Sequence, residues 1–294
     1  MDRKEFLQTM GLLPLLGCTM KSKELNKLNE KLPNTEKLPV LFLGHGSPMN
    51  AIEENDFVRG LRSIGSGITR PKAILCISAH WETKGTYVTA MENPRTIHDF
   101  GGFPKELYEV QYPAPGSPAL AKETQDLVKT TSVQLDQNWG LDHGAWSVIK
   151  HLYPAADIPV IQMSLDYSKP PSYHYQIAKE LSTLRSKGIL IVGSGNMVHN
   201  LGMVAWDKMN QPDYAYEWAK EASSQMKSFI TTRNHSNLIN YAAQGESWQL
   251  AIPSPEHYLP LLYVLGLQDE NEEATLYNDK AVAGSLTMTS VKIG

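Results

Sequence analysis

Cysteine is scarce in this chain: two residues in 294, Cys18 and Cys76, are too few for a disulfide framework, and no paired-cysteine motif offers a zinc site. Cys76 sits in the apolar run Ala73-Ile74-Leu75-Cys76-Ile77 and reads as a small buried hydrophobe. Charge of one sign is also missing. The formal net charge is −4 and no Lys/Arg cluster is dense enough to attract a polyanion, so nucleic acid is excluded as a partner. There is no HExxH motif. Gly193-Ser194-Gly195 lacks the later glycine that a nucleophile elbow or a dinucleotide fingerprint requires. No internal repeat, low-complexity tract or interior linker divides the chain. What remains is an ordinary globular composition, 41% hydrophobic and 20% charged, with length enough for one large α/β core.

The first residues read as a targeting segment. Asp2-Arg3-Lys4-Glu5 is charged, and an apolar stretch from Met10 leads into Leu15-Leu16-Gly17-Cys18, the pattern of an export signal over residues 1–18. The stretch is too short to span a bilayer. Arg3-Lys4 followed by Phe6-Leu7 resembles a degenerate twin-arginine signal. Gly17-Cys18 resembles a lipoprotein cleavage site, although Leu16 is bulky for its position. The expectation is an exported bacterial protein, periplasmic or lipid-anchored, with membrane attachment only through a lipidated Cys18. The alternative is a frayed helix on a cytoplasmic protein. Residues 19–37 read as a polar tether and residues 38–294 as the catalytic domain. Nothing in the sequence sets an oligomeric state.

Short apolar runs predict buried strands at Leu38–Leu43, Ala73–Ser78, Tyr87–Ala90, Ile158–Leu165 and Ile189–Val192, with an alternating terminal strand over Ser285–Ile293. Helical spacing predicts helices over Pro118–Thr131, Gly144–Leu152, Tyr173–Lys187, Tyr214–Thr231 and Pro255–Leu265. Buried strands alternating with helices define a single α/β domain with a central, largely parallel or mixed sheet flanked by helices.

The chemistry lies in the histidines, nine in all. His45 follows a strand in Gly44-His45-Gly46-Ser47-Pro48, His80 closes one in Ser78-Ala79-His80-Trp81, and His199 follows one in Gly195-Asn196-Met197-Val198-His199. His257 opens a helix in Pro255-Glu256-His257-Tyr258. Ligands of open α/β sheets bind beyond the carboxyl ends of the strands, so the topology carries three of these to the functional edge. Imidazole suits zinc, iron, copper and nickel alike. Any one of these histidines alone reads more readily as a satisfied structural or surface residue; four at such positions point to one metal ion. His143, in Asp142-His143-Gly144, reads either as an acid/base group or as part of a turn in which Asp142 caps a helix. His98 reads as a loop residue, either lining the pocket or structural. His151, His174 and His235 read as structural.

Taken in order, Gly44-His45-Gly46-Ser47-Pro48-Met49, Ser78-Ala79-His80-Trp81, His98-Asp99-Phe100, Leu141-Asp142-His143-Gly144, Gly195-Asn196 with His199-Asn200, and Pro255-Glu256-His257-Tyr258-Leu259-Pro260-Leu261 resemble the DODA-type (4,5-DOPA) class III extradiol ring-cleavage dioxygenases. The resemblance runs from about Leu38 to the C-terminus. It implies a divalent metal held by His45, His80 and His257, with His199 either a fourth ligand or the acid/base, and His143 at the pocket wall. Glu256 is the competing carboxylate for the position given to His257. The export signal departs from the family, whose bacterial members are generally cytoplasmic.

Such an enzyme inserts O2 into a catechol such as DOPA and yields a muconic semialdehyde. Three ligands on one face of the ion leave room for substrate and oxygen. His199 is then expected to move the protons, with His143 orienting substrate or oxygen. One ion per chain is expected, Fe(II) for ring opening and Zn(II) as an occupant that four histidines would also suit. Trp81, Phe100, Phe103, Trp146 and Tyr258 are candidates for an aromatic wall, or core. The alternatives are a zinc hydrolase working through metal-bound hydroxide and a non-catalytic metal-binding member of the same fold.

Overall fold

The computed structural model describes residues 36–294. The export signal, the Cys18 lipidation and all but the end of the polar tether lie outside the described residues. Strands β1 (Val40–Gly44), β2 (Ala73–Thr83), β3 (Thr86–Thr89), β4 (Val133–Asp136), β5 (Val160–Asp166), β6 (Ile189–Gly195), β7 (Ala274–Tyr277) and β10 (Ser290–Ile293) form one sheet in the order β4-β3-β5-β2-β6-β1-β10-β7. The central four, β5-β2-β6-β1, are parallel, and β3 and β4 are parallel to each other. The pairings of β3 with β5, β1 with β10 and β10 with β7 are antiparallel. The sheet is therefore mixed and mostly parallel. Two further strands, β8 (Ala281–Val282) and β9 (Leu286–Thr287), pair with each other, and Leu286 also forms an isolated antiparallel bridge with His199.

Period-two alternation divides the core into two layers. Val40, Phe42, Leu75, Ile77 and Ile191 pack on one face with helices Pro171–Glu180, Glu217–Thr231 and Leu259–Gly266. Leu41, Leu43, Ile74, Cys76, Leu190 and Val192 pack on the other with helices Asp56–Ser66 and His143–Leu152. Both faces being covered explains why these strands read as continuous apolar runs. Arg185, wholly buried, ties the ends of the domain together: it donates to the carbonyls of Leu38 and Leu267 (2.8 Å each) and forms a fork with Glu272 at 2.6 and 2.8 Å.

Several element boundaries differ from the sequence reading. The expected terminal strand breaks into β9 and β10. The span Tyr173–Lys187 is two helices, Pro171–Glu180 and Ser182–Ser186, and the helix expected from Tyr214 begins at Glu217. The helix expected from Pro255 begins at Leu259, so His257 lies in the preceding turn and does not open the helix. There the amides of Tyr258 and Leu259 both bond the Pro255 carbonyl, and Pro260 takes an early helical position. Helix Asp56–Ser66, with Asn55 capping Val58 N and Val58, Leu61 and Ile64 buried, is absent from the sequence reading, as are the edge strands β4 and β7, four residues each with few large apolar side chains.

Candidate metal centre

Three chain segments meet at the carboxyl edge of the parallel strands. His45 is the first residue after β1, and its amide donates to the Gly195 carbonyl at the end of β6 (3.1 Å). His80 lies inside β2, which continues to Thr83. Between Ile77 and Glu82 the pairing with β5 slips, so that five steps along β2 answer two along β5 (Met163 to Leu165). The bulged stretch carries His80, a familiar means of re-aiming a side chain at a sheet edge. His257 is brought in by its backbone: the Asn196 amide donates to the His257 carbonyl at 2.9 Å, directly after β6. Gly195 makes that approach feasible, since a Cβ there would lie 2.1 Å from the same carbonyl oxygen.

One nitrogen from each of His45, His80 and His257 lies within 4.8 Å of the other two. The Nε2 atoms of His45 and His80 are 3.1 Å apart. Two nitrogens bound at about 2.1 Å and at a right angle to one ion would be about 3.0 Å apart, so this pair has a metal-chelating separation. Electrostatics agree. Burial, reinforced by the neighbouring histidines, pushes His45 and His80 well below the usual imidazole range and keeps both rings in the neutral, ligating form. His45 Nδ1 lies 3.0 Å from Ser194 Oγ, which donates to the Gly144 carbonyl. His257 Nδ1 lies 3.0 Å from Glu256 Oε1. Burial alone would raise the Glu256 carboxyl; its bonds with His257 and Ser254 hold it down to about 2. Hydrogen bonds to the outer ring nitrogen set the tautomer that a metal ligand needs. The residues present fit an ion.

His199 follows β6 and stacks flat on His257, with ring centroids 3.5 Å apart and planes 9° apart. Its potential ligand atom groups with those of Glu256 and His257, a second set that shares only His257 with the trio. Burial, then His257, lowers its pKa to about 3. His143 is the first residue of its helix; Asp142 caps that helix through Ala145 N (3.1 Å), and the His143 ring lies 3.9 Å from that of His80. Asp142 is buried and also accepts from Ser78 Oγ (2.6 Å) and Gln162 Nε2 (2.7 Å). Burial, then nearby Asp99, outweighs those bonds and raises its pKa.

The other histidines hold structure. His98 Nε2 is 2.9 Å from the Val110 carbonyl and His151 Nε2 2.8 Å from that of Asn50. His174 contacts Tyr263 and His235 contacts Tyr175. Of the aromatic residues, Trp81 stacks on Trp139, Trp146 donates to the Ile97 carbonyl, and Tyr258 donates to that of Leu238; all three are buried in packing. Phe100, edge-on to His143 at 5.5 Å, and its neighbour Phe103 are half-buried and remain candidates for a substrate wall. Sequence reasoning assigned no role to Ser194, Ser78 or Asp99, because their partners come from distant segments. The one sequence signal is Asp99's place beside His98 in a glycine-rich loop.

A cluster of imidazoles, largely buried, at the carboxyl edge of the parallel strands points to the class: a metalloenzyme with a single-ion centre. The chain belongs to the aromatic ring-opening dioxygenases, since the family model for the catalytic LigB subunit of aromatic ring-opening dioxygenase matches residues 39–290. It is 48% identical over 265 residues to the 4,5-DOPA dioxygenase extradiol of Escherichia coli (strain K12), covering 89% of this chain and 96% of that protein. It is 38% identical over 261 residues to the protein of the same name from Beta vulgaris, covering 85% of this chain and 94% of that one. The crystal structure of an uncharacterized Escherichia coli K12 protein superposes with a TM-score of 0.75 at 44% identity, covering 88% of this chain and all of that one. The fold and the family agree. This is a metal-dependent extradiol ring-opening dioxygenase, an oxidoreductase that combines a small aromatic substrate with O2.

Proposed function

We propose that the substrate is DOPA or a close catechol, cleaved beside its two hydroxyls to a muconic semialdehyde, and that the working ion is Fe(II). The observation that carries this reading is the trio His45, His80 and His257, two buried imidazoles and one part-buried with a nitrogen of each within 4.8 Å of the others, in a chain whose curated relatives bear the 4,5-DOPA dioxygenase name. These three would hold the ion. A bound Fe(II) supplies a Lewis acid for the catechol oxygens and the one-electron chemistry that lets a closed-shell ring react with dioxygen. Zn(II) suits the same donors but has no redox chemistry.

The remaining roles belong to side chains around the trio. His199, neutral and stacked behind His257, is in the form that accepts a catechol proton and can return it as the ring opens. His143 orients substrate or oxygen, with Phe100 against its edge. Both atoms of O2 end in the product, one in the new aldehyde and one in the new carboxylate. Anaerobic reconstitution with Fe(II) or Zn(II), followed by oxygen uptake over a catechol panel that includes DOPA, tests the reading. Uptake is expected with Fe(II) and with DOPA or a close analogue; equal uptake by the zinc-loaded protein refutes the metal assignment, and turnover of unrelated catechols with none of DOPA or its close analogues refutes the substrate. His199→Ala is expected to keep the ion and lose turnover, whereas loss of the ion would make His199 a ligand.

The signal-like residues 1–18 support export, either free in the periplasm or held by a lipid anchor at Cys18. Cell fractionation with palmitate labelling of the wild type and of Cys18→Ser tests this. Recovery of an unprocessed, unlabelled chain in the cytoplasm refutes it.

A further inference from the structure

Asp99 belongs to the loop between β3 and the short helix Lys105–Tyr108, far in sequence from the residues it meets. Its Oδ1 accepts from the backbone N–H of His143 at 2.8 Å. Its Oδ2 lies 3.0 Å from His143 Nδ1, without the alignment of a good hydrogen bond, and 3.3 Å from His80 Nδ1. The carboxylate is thus within reach of both rings, which are 3.9 Å apart. The other nitrogen of His80, Nε2, is the one that faces His45. A neutral imidazole carries its proton on one nitrogen only, so whatever accepts at Nδ1 leaves the Nε2 lone pair free for an ion.

We infer that Asp99 is a positioning residue shared by the metal site and the substrate side of the pocket, selecting the Nδ1–H tautomer of His80 and orienting His143 with the same carboxylate. The inference rests on the reading of His80 as a metal ligand and deepens it. Its consequence is coupling. Moving or neutralising this carboxylate alters ion retention and His143 geometry together, though Asp99 need touch neither ion nor substrate. Asparagine cannot replace it, because an amide has one acceptor oxygen and presents N–H donors where the second acceptor stood.

The test uses the full chain in three forms: wild type, Asp99→Asn and Asp99→Glu. Zn(II) affinity is measured by competition with a chromogenic chelator. Histidine tautomers are read from ¹⁵N–¹H correlation spectra of the metal-free protein. Expected for Asp99→Asn are a 10–100-fold loss of Zn(II) affinity, the usual cost of losing a carboxylate behind a metal-bound histidine, and a shift of the His80 signals away from the Nδ1–H form. Asp99→Glu should recover part of both. Wild-type affinity and unchanged tautomers in a folded Asp99→Asn protein would reduce Asp99 to a helix-terminal acceptor and overturn the inference. If Asp99→Asn does not fold, Asp99→Ser keeps an acceptor for the His143 amide and is read the same way. His45→Ala separates the two levels. Ion binding by wild type that survives His45→Ala defeats the three-histidine reading itself, whereas binding lost in His45→Ala but intact in Asp99→Asn defeats only the role of Asp99.

Discussion

Replacing Gly195 by alanine would place a methyl carbon 2.1 Å from the His257 carbonyl oxygen, and the obstacle is backbone, which cannot rotate aside. Real Cβ atoms essentially never approach closer than 3.0 Å, so the two segments must part by about 0.9 Å. The β6 side cannot yield easily. Gly195 is in register with Gly44 of β1, and its carbonyl accepts the His45 amide. The displacement therefore passes to residues 256–258, which carry one of the three clustered imidazoles. Overpacking of this kind costs about 1–3 kcal/mol, and a chain of this length loses roughly 2–4 °C of melting temperature for each. A misplacement near 1 Å at a catalytic centre costs about 100-fold in rate. The expected phenotype is a folded protein with a modestly lower melting temperature, weakened ion binding in a chelator competition, and kcat/KM for oxygen uptake down about 100-fold. Gly67→Ala is the control, since its Cβ would meet nothing closer than an ordinary 3.6 Å contact. Wild-type ion affinity and oxygen uptake in Gly195→Ala would refute the claim that this close approach sets the site.

Glu272→Ala should destabilise the domain by about 3–5 kcal/mol in denaturant unfolding, because it strands the buried Arg185 guanidinium without its carboxylate; a loss under 1 kcal/mol would show that the carbonyls of Leu38 and Leu267 suffice. Wholly buried His174 is held by burial at a pKa of about 4, so the unfolded chain takes up a proton between pH 6.5 and 4 that the folded protein does not. Its contribution is full above pH 6.5 and falls by about 3 kcal/mol towards pH 4, so stability rises with pH across that window. His174→Gln should flatten the slope in urea titrations, and an unchanged slope would refute the assignment. Asp142→Ala should cost about 1 kcal/mol or more in thermal unfolding, through loss of the cap on helix His143–Leu152 and of the bonds from Ser78 and Gln162; unaltered melting would refute that role.

The central strands were legible because each is buried on both faces, and an apolar run such as Ile189-Leu190-Ile191-Val192 has few other uses. The edge strands β4 and β7 were not, because a half-exposed strand of four residues carries too little pattern to stand out. The early start assigned to the helix after Pro255 has a similar cause. Ser254, Pro255 and Glu256 look like helix-initiating residues, yet they make a turn that holds His257.

For the candidate site the division is sharper. Sequence determined which side chains are candidates for the chemistry, since the glycine- and proline-marked contexts of His45, His80, His143, His199 and His257 are local, while the choice of His257 over Glu256 as a ligand came from the family resemblance. Tertiary structure decided how they differ. The slip of β2 against β5 turns His80 toward His45, the Gly195 contact draws in His257, and the stacking of His199 on His257 sets it apart from the trio. The carboxylate behind His80 comes from a loop 19 residues further along the chain, held there by the His143 amide. Residue type is written in one dimension, whereas separations near 3 Å between imidazole nitrogens arise only when strands far apart in the chain lie side by side in a sheet.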